Sequence, residues 1–269
     1  MTIHQQLPTL SAPMSTTATS PSPVRKARNY SGVPAEERVK LRREKLIQAA
    51  MDVFGAQGYA QSTMRDICAK ARLAERYFYE SFGSTKEVFE AVYRDQVQRM
   101  MDAISGAVTR APLNSVALSQ GGVRAFLQFI KDDPRRVQII LIDGVWMDQM
   151  KVRDSDSDLV TYIEVIKIMA QSFYPGLSPK IDVQLAASGL VAMAIHTAIA
   201  WARGGFAEDI EVVLNHNMYA WGGMRHWIKS TLADTSDTPP ENERLAWVRS
   251  AFSLEEEHSG AQVPATPKV

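Results

Sequence analysis

The groups best suited to chemistry lie in one run, STMRDICAKARLAERYFYESFGSTKEVFEAV, from Ser62 to Val92. It holds hydroxyls at Thr63 and Ser84, a guanidinium at Arg76, phenols at Tyr77 and Tyr79 and an ammonium at Lys86. These side chains donate hydrogen bonds, and together they suit an anionic partner better than bond-breaking chemistry. Thr63 with Asp66, and Ser84 with Glu87, have the S/T-x-x-D/E spacing of capping boxes that open helices. Helix N-termini at these two points add backbone N–H donors that suit phosphate.

Elsewhere, catalytic and metal chemistry find no support. No Ser/His/Asp spacing, phosphate-cradling glycine loop or ligand cluster occurs, so the chain reads as a non-enzyme with no cofactor and no metal. His216 and His226 have no cysteine or carboxylate at ligand spacing, and His196 sits in an apolar helix as a core or interface residue. The acidic run Asp154, Asp156, Asp158 imitates a calcium loop. Its glycine position is Leu159 and its closing glutamate position is Val165, so it is a solvated turn.

The elements that must position the run are helical. Leu46, Ala50, Val53 and Phe54 define one apolar helix face, and Gly58 stands where a left-handed helix end is needed. Met64, Ile67, Cys68 and Ala71 form a stripe over two turns. A turn at Arg72–Leu73 leads into AERYFYES, whose Phe78 points inward, with Phe82 closing the unit. A longer helix follows, with Val88, Phe89, Val92, Val97, Met100 and Met101 inward. Two short helices across a tight turn, braced by flanking helices, form the tri-helical plan that places a recognition helix in a major groove.

Residues 40–93 resemble the N-terminal domain of the TetR family of transcriptional regulators. The matching pieces are REKLIQAAMDVFGAQGYAQSTMRDICAKA, then YFYESF, then TKEVFEAV. The resemblance implies that Thr63 and Tyr79 contact phosphates and that Lys86 grips the backbone. It also maps the recognition helix to Ala74–Ser81, with Ala74, Glu75, Arg76 and Tyr77 toward the base edges. An arginine there can pair bidentately with guanine. Where the family has Gly-Val-Ser in the turn, this chain has Arg72–Leu73–Ala74. Arginine in a left-handed conformation is strained by about 1 kcal/mol or more, and Ala74 forgoes a cap worth about 1 kcal/mol.

Beyond the head, apolar periodicity continues. Val123, Phe126, Leu127 and Ile130 share a face; Asp133 with Pro134 opens a helix, as does Ser178 with Pro179 in a helix ending at Gly204–Gly205; a last helix runs from about Asp209 to Lys229. The expected fold is all-α: an N-terminal tri-helical helix-turn-helix DNA-binding domain plus a larger helical ligand-binding and dimerisation domain. The expected boundaries are an arm over 1–35, a head over 36–93, an effector domain over 94–230 and a tail over 231–269.

LAASGLVAMAIHTAIAWA is apolar on almost every face, which demands burial on all sides, and VVLNHNMYAWGGMRHWI is its expected partner in an isologous homodimer. Trp146, Met147, Met150, Tyr162, Met169, Phe173 and Trp201 are candidates to line a cavity for a small apolar or amphipathic effector, although a Met and aromatic stripe at helical spacing also describes plain core.

Thirty basic and thirty acidic residues cancel overall, yet residues 1–99 hold 15 Lys/Arg against 10 Asp/Glu, and the remainder 15 against 20. An anionic partner is therefore expected for the first part alone. The arm's Arg25, Lys26 and Arg28 either reach DNA or form a solvated tail. One cysteine, Cys68, excludes an intrachain disulfide framework and fits a reducing cytoplasm. With no run of about 18 uncharged apolar residues, no membrane span is expected. The reading is a ligand-responsive regulator, a repressor, that binds double-stranded operator DNA as a dimer. The alternative is a helical adaptor or ligand-binding protein whose helix-turn-helix no longer binds DNA.

Overall fold

A capped, left-handed corner organises the head. Thr63 caps helix α2 (Met64–Ala71): its hydroxyl accepts the Asp66 N–H at 3.2 Å while the Asp66 carboxylate accepts the Thr63 N–H at 2.9 Å. The box expected from the sequence is complete. Arg72 ends α2 at φ 55, ψ 44, the left-handed turn residue anticipated there. Helix α3 (Glu75–Tyr79) is shorter than the expected span Ala74–Ser81, and its N-cap Ala74 supplies no side-chain bond. Helix α1 (Ala35–Gln57) packs behind this pair, and Leu46, Phe54, Ile67, Phe78 and Val88 are fully buried together.

The computed structural model describes residues 34–146, 158–174 and 182–231. Residues up to Arg38 cluster apart from the rest and are described only over the first turn of α1, where the Arg38 N–H donates to the Pro34 carbonyl. From Val39 onward the chain is one compact unit.

Two details differ from the sequence reading. Gly58 has the positive φ anticipated there, 78, but its ψ of 163 lies outside the left-handed helical region, in a conformation open essentially to glycine alone, and it leads into a 3-10 turn at Tyr59–Gln61. Glu87 answers the Gly83 N–H at 2.8 Å rather than that of its cap residue Ser84, whose hydroxyl still accepts the Glu87 N–H at 3.2 Å.

Helix α4 (Thr85–Arg110) belongs to both halves. Val88, Phe89 and Val92 fill the head, whereas Met100, Met101 and Val108 enter the second core. Its 26 residues span about 39 Å at about 1.5 Å per residue. Helix α5 (Ser115–Asp132), capped by the Asn114 side chain, lies along α4. Asp133 then accepts the Arg135 N–H at 3.2 Å, as its expected capping role requires.

The segment that follows is helical but not α-helical: Val137–Gly144 winds as a π-helix. Apolar spacing does not distinguish the two. Gly144 is obligatory here, since a Cβ would lie 2.2 Å from the Tyr93 ring and 2.9 Å from the Ile139 carbonyl oxygen.

Helices α6 (Asp158–Phe173), α7 (Val183–Arg203) and α8 (Ile210–Thr231) complete the second core, α6 against α7, and α8 against α5 and α7. Asp182 caps α7 by accepting the Leu185 N–H at 3.0 Å. Ser178 and Pro179, expected to open this helix, lie outside the described residues, as do both tails. Among the described residues there is no strand.

By length and composition α7 is apolar enough to cross a membrane, with a mean hydropathy of 1.6. This corrects the expectation that no segment qualifies: Gln184, Ser188, His196 and Thr197 interrupt the apolar run without charging it.

Candidate nucleic-acid interface and ligand cavity

Phe78, wholly buried, anchors α3 and turns the rest of that helix outward. Ala74, Glu75 and Arg76 are exposed, Tyr77 is half-buried and Tyr79 is 63% exposed. Lys86 is exposed at the start of α4, 3.7 Å from Glu90. Six of the seven candidate DNA-binding side chains are therefore open to solvent around α3.

The surface is held in place by its own charges. The Arg42 and Arg76 guanidiniums both lie over the Tyr77 ring, each 4.5 Å from its centroid, and Arg76 also donates to the Tyr77 hydroxyl at 2.5 Å. Arg65 pairs with Glu75 across the α2–α3 turn at 3.4 Å, and Arg42 with Glu80 at 3.0 Å. Arg42 and Arg65 are additional cations that the sequence reading did not single out; their only signal was the composition of the head. The Thr63 hydroxyl donates to Asp66 at 2.7 Å, so a phosphate contact from that oxygen requires its proton to turn away. Hydrogen bonds from the Thr63 hydroxyl and N–H hold the Asp66 carboxyl below its usual range.

A second site lies in the larger core. Met100, Phe126, Leu141, Met169, Met193 and Trp221, one each from α4, α5, the π segment, α6, α7 and α8, enclose a cavity of about 190 Å³. Among the described residues, no side chain in its wall is charged. Of the sequence candidates, Met169 is in the wall. Phe173 is buried in the core but outside the cavity wall. Trp201 packs edge-on against Phe206 at 5.0 Å, lies under Lys131 and donates to the Glu208 carbonyl at 3.0 Å. Trp146 is exposed. Met147, Met150 and the Tyr162 side chain lie outside the described residues. The wall residues from α5 and the π segment went unnoticed because aliphatic wall and aliphatic core have the same pattern.

The two sites meet at Tyr59. Its backbone N–H donates to Asp143 Oδ2 at 2.8 Å, and Gln138 donates to the other carboxylate oxygen at 3.0 Å. The π segment thus presents Ile140 and Leu141 to the cavity and Asp143 to the head. Rings make a parallel connection: Tyr93 in the cavity wall stacks on Phe89 at 6.2 Å, and Phe89 meets Tyr59 at 4.9 Å and Phe54 at 5.2 Å. Nearby, Arg135 bonds Asp133 and Asp52, which holds the Asp133 carboxyl below its usual range.

Comparison with known proteins agrees with both halves. Residues 46–92 match the model of the tetR family of bacterial regulatory proteins. The chain is 24% identical over 212 residues to the HTH-type transcriptional activator FasR of Mycolicibacterium smegmatis, covering 74% of this chain and 88% of that protein. A TetR-like transcriptional regulator from Rhodococcus sp. RHA1 superposes with a TM-score of 0.57 at 24% identity, over 68% of this chain and 96% of that one. FadR from Bacillus subtilis, in complex with stearoyl-CoA, superposes with a TM-score of 0.54 at 14% identity, over 65% and 95% respectively. The chain thus carries a tetR-family DNA-binding domain over residues 46–92 and shares the helical fold of TetR-like transcriptional regulators.

Proposed function

We infer that the protein is a ligand-responsive regulator that binds a pseudo-palindromic operator as a homodimer and is released by a small molecule held in the 190 Å³ cavity. The observation that carries this reading is the double connection at Tyr59, where a cavity wall and a DNA-binding head share one backbone N–H and one aromatic cluster. Ala74, Glu75, Arg76 and Tyr77 face the base edges, and Thr63, Tyr79 and Lys86 hold phosphates, within a cytoplasmic protein organised as arm 1–35, head 36–93, effector domain 94–230 and tail 231–269.

Dimerisation is supported by the outer face of α7 and α8. Leu185, Val212, Tyr219 and Trp227 are large, apolar and exposed. Val212, Tyr219 and Trp227 recur at seven- and eight-residue spacing along one side of α8, which suits helix packing across a two-fold axis. Two heads so joined reach half-sites about 34–36 Å apart. A ligand that favours one head spacing shifts the population between operator-fitting and non-fitting dimers.

Mobility shift on the DNA upstream of the protein's own reading frame tests the proposal. Specific binding by a dimer, lost on adding ligand, is the expected result; a folded dimer with no specific binding at moderate salt overturns it. Repression is the expected sign, so deleting the protein raises transcription from its target. The relative named an activator supports the opposite sign, in which deletion lowers it.

A further inference from the structure

The cavity wall is apolar except at a few points, and two of those are incomplete. Asn217 is 3% exposed and Trp221 is 8% exposed, and both line the cavity from α8, one helical turn apart. The Asn217 amide nitrogen donates to the Val213 carbonyl at 2.9 Å, which leaves its Oδ1 as the free atom. Among the described residues, that oxygen has no hydrogen-bond partner, and neither has the indole N–H of Trp221. A buried acceptor and a buried donor, each unsatisfied, forfeit their hydration with nothing in return. Such groups persist at sites that a partner completes.

We propose that Asn217 and Trp221 form a head-group subsite for a neutral, hydroxyl-bearing apolar ligand. This rests on the cavity being the effector site. One hydroxyl satisfies both atoms, its oxygen accepting from the Trp221 N–H and its proton going to Asn217 Oδ1. A carboxylate lacks the proton that Asn217 needs, and among the described wall residues no cation offsets its desolvation. An ether oxygen can meet Trp221 but not Asn217. The subsite therefore selects an alcohol over both an ether and an acid of the same chain length.

Isothermal titration of the full-length protein with octan-1-ol, 1-methoxyheptane and octanoate tests this. The alcohol is expected to bind about tenfold tighter than its isomeric ether, one hydrogen bond's worth, with octanoate weakest. Asn217→Leu abolishes the alcohol-over-ether preference. Trp221→Phe weakens alcohol and ether together and preserves their ratio, which distinguishes the two roles without relying on one variant. Equal binding of alcohol and ether to the unaltered protein overturns the subsite, as does a preference that survives Asn217→Leu, while the cavity remains the effector site. If none of the three binds, the effector reading falls and the subsite with it.

Discussion

The carboxylate of Asp143 closes a bond to the backbone N–H of Tyr59, 84 residues earlier in the chain and immediately before the helix-turn-helix. Asp143→Ala leaves that part-buried N–H without its partner and releases Gln138. A loss of about 1–3 kcal/mol is expected in urea unfolding. The sharper expectation is functional: operator affinity without ligand changes little, whereas the ligand-induced loss of affinity shrinks. An unchanged ligand response would show that Tyr59 is not the coupling point.

Gly144→Ala places a methyl group inside the Tyr93 ring envelope. Overpacking of this kind costs about 1–3 kcal/mol. Because Tyr93 also lines the cavity, ligand affinity should fall along with the midpoint of urea unfolding. Gly222→Ala, where an added Cβ meets nothing within 4 Å of this chain, serves as a control that leaves the cavity intact.

On α3, stability and DNA binding should separate. Tyr79 is exposed, so Tyr79→Ala should change stability by less than about 0.5 kcal/mol. Its effect belongs in the mobility shift, together with a shallower salt dependence if the contact is to phosphate. Phe78→Ala removes a fully buried ring and should cost about 3–5 kcal/mol, unfolding the head before any binding can be read.

The turn invites repair. Arg72→Gly removes left-handed strain of about 1–2 kcal/mol, partly offset by the greater freedom of glycine in the unfolded chain, for a net gain of about 0.5–1 kcal/mol. Ala74→Ser supplies the missing cap of α3, worth about 1 kcal/mol. Thermal unfolding of the two single variants and the double variant measures both.

Acid should weaken the head at its cap. Asp66 titrates below its ordinary 3.8 in the folded state, held there mainly by the Thr63 hydroxyl. Its contribution is present above 3.8 and is lost as pH falls through the lower folded value. Glu211, lowered from 4.5 by its hydrogen bonds with Arg124, follows the same sign between α5 and α8. Asp66→Asn should flatten the acid limb of the stability profile, measured by urea unfolding from pH 5 downward.

The head was legible in the sequence because its signals are local. A Thr63–Asp66 box, a misplaced Arg72 and a buried Phe78 each act within a few residues. The all-α class followed from periodicity in the same way. The cavity was not legible, since Leu141 or Phe126 beside an empty volume has the same spacing as beside a packed one. Trp201 illustrates the reverse error: a conspicuous aromatic whose ring and N–H are taken up by Phe206, Lys131 and Glu208. The π winding of Val137–Gly144 left no mark either, because its apolar spacing fits an α-helix as well.

That winding gives the chain a kind of reading frame. Gln138 and Asp143 are five residues apart and meet over one π turn; in an α-helix the same pair would be set well apart around the axis. Deleting one residue between them leaves the pair four apart, the spacing at which an α-helix brings two side chains to the same face. Such a protein could trade the π turn for an α turn and keep this contact, so a one-residue deletion is tolerated here, whereas in a straight α-helix it would turn everything that follows by about 100°.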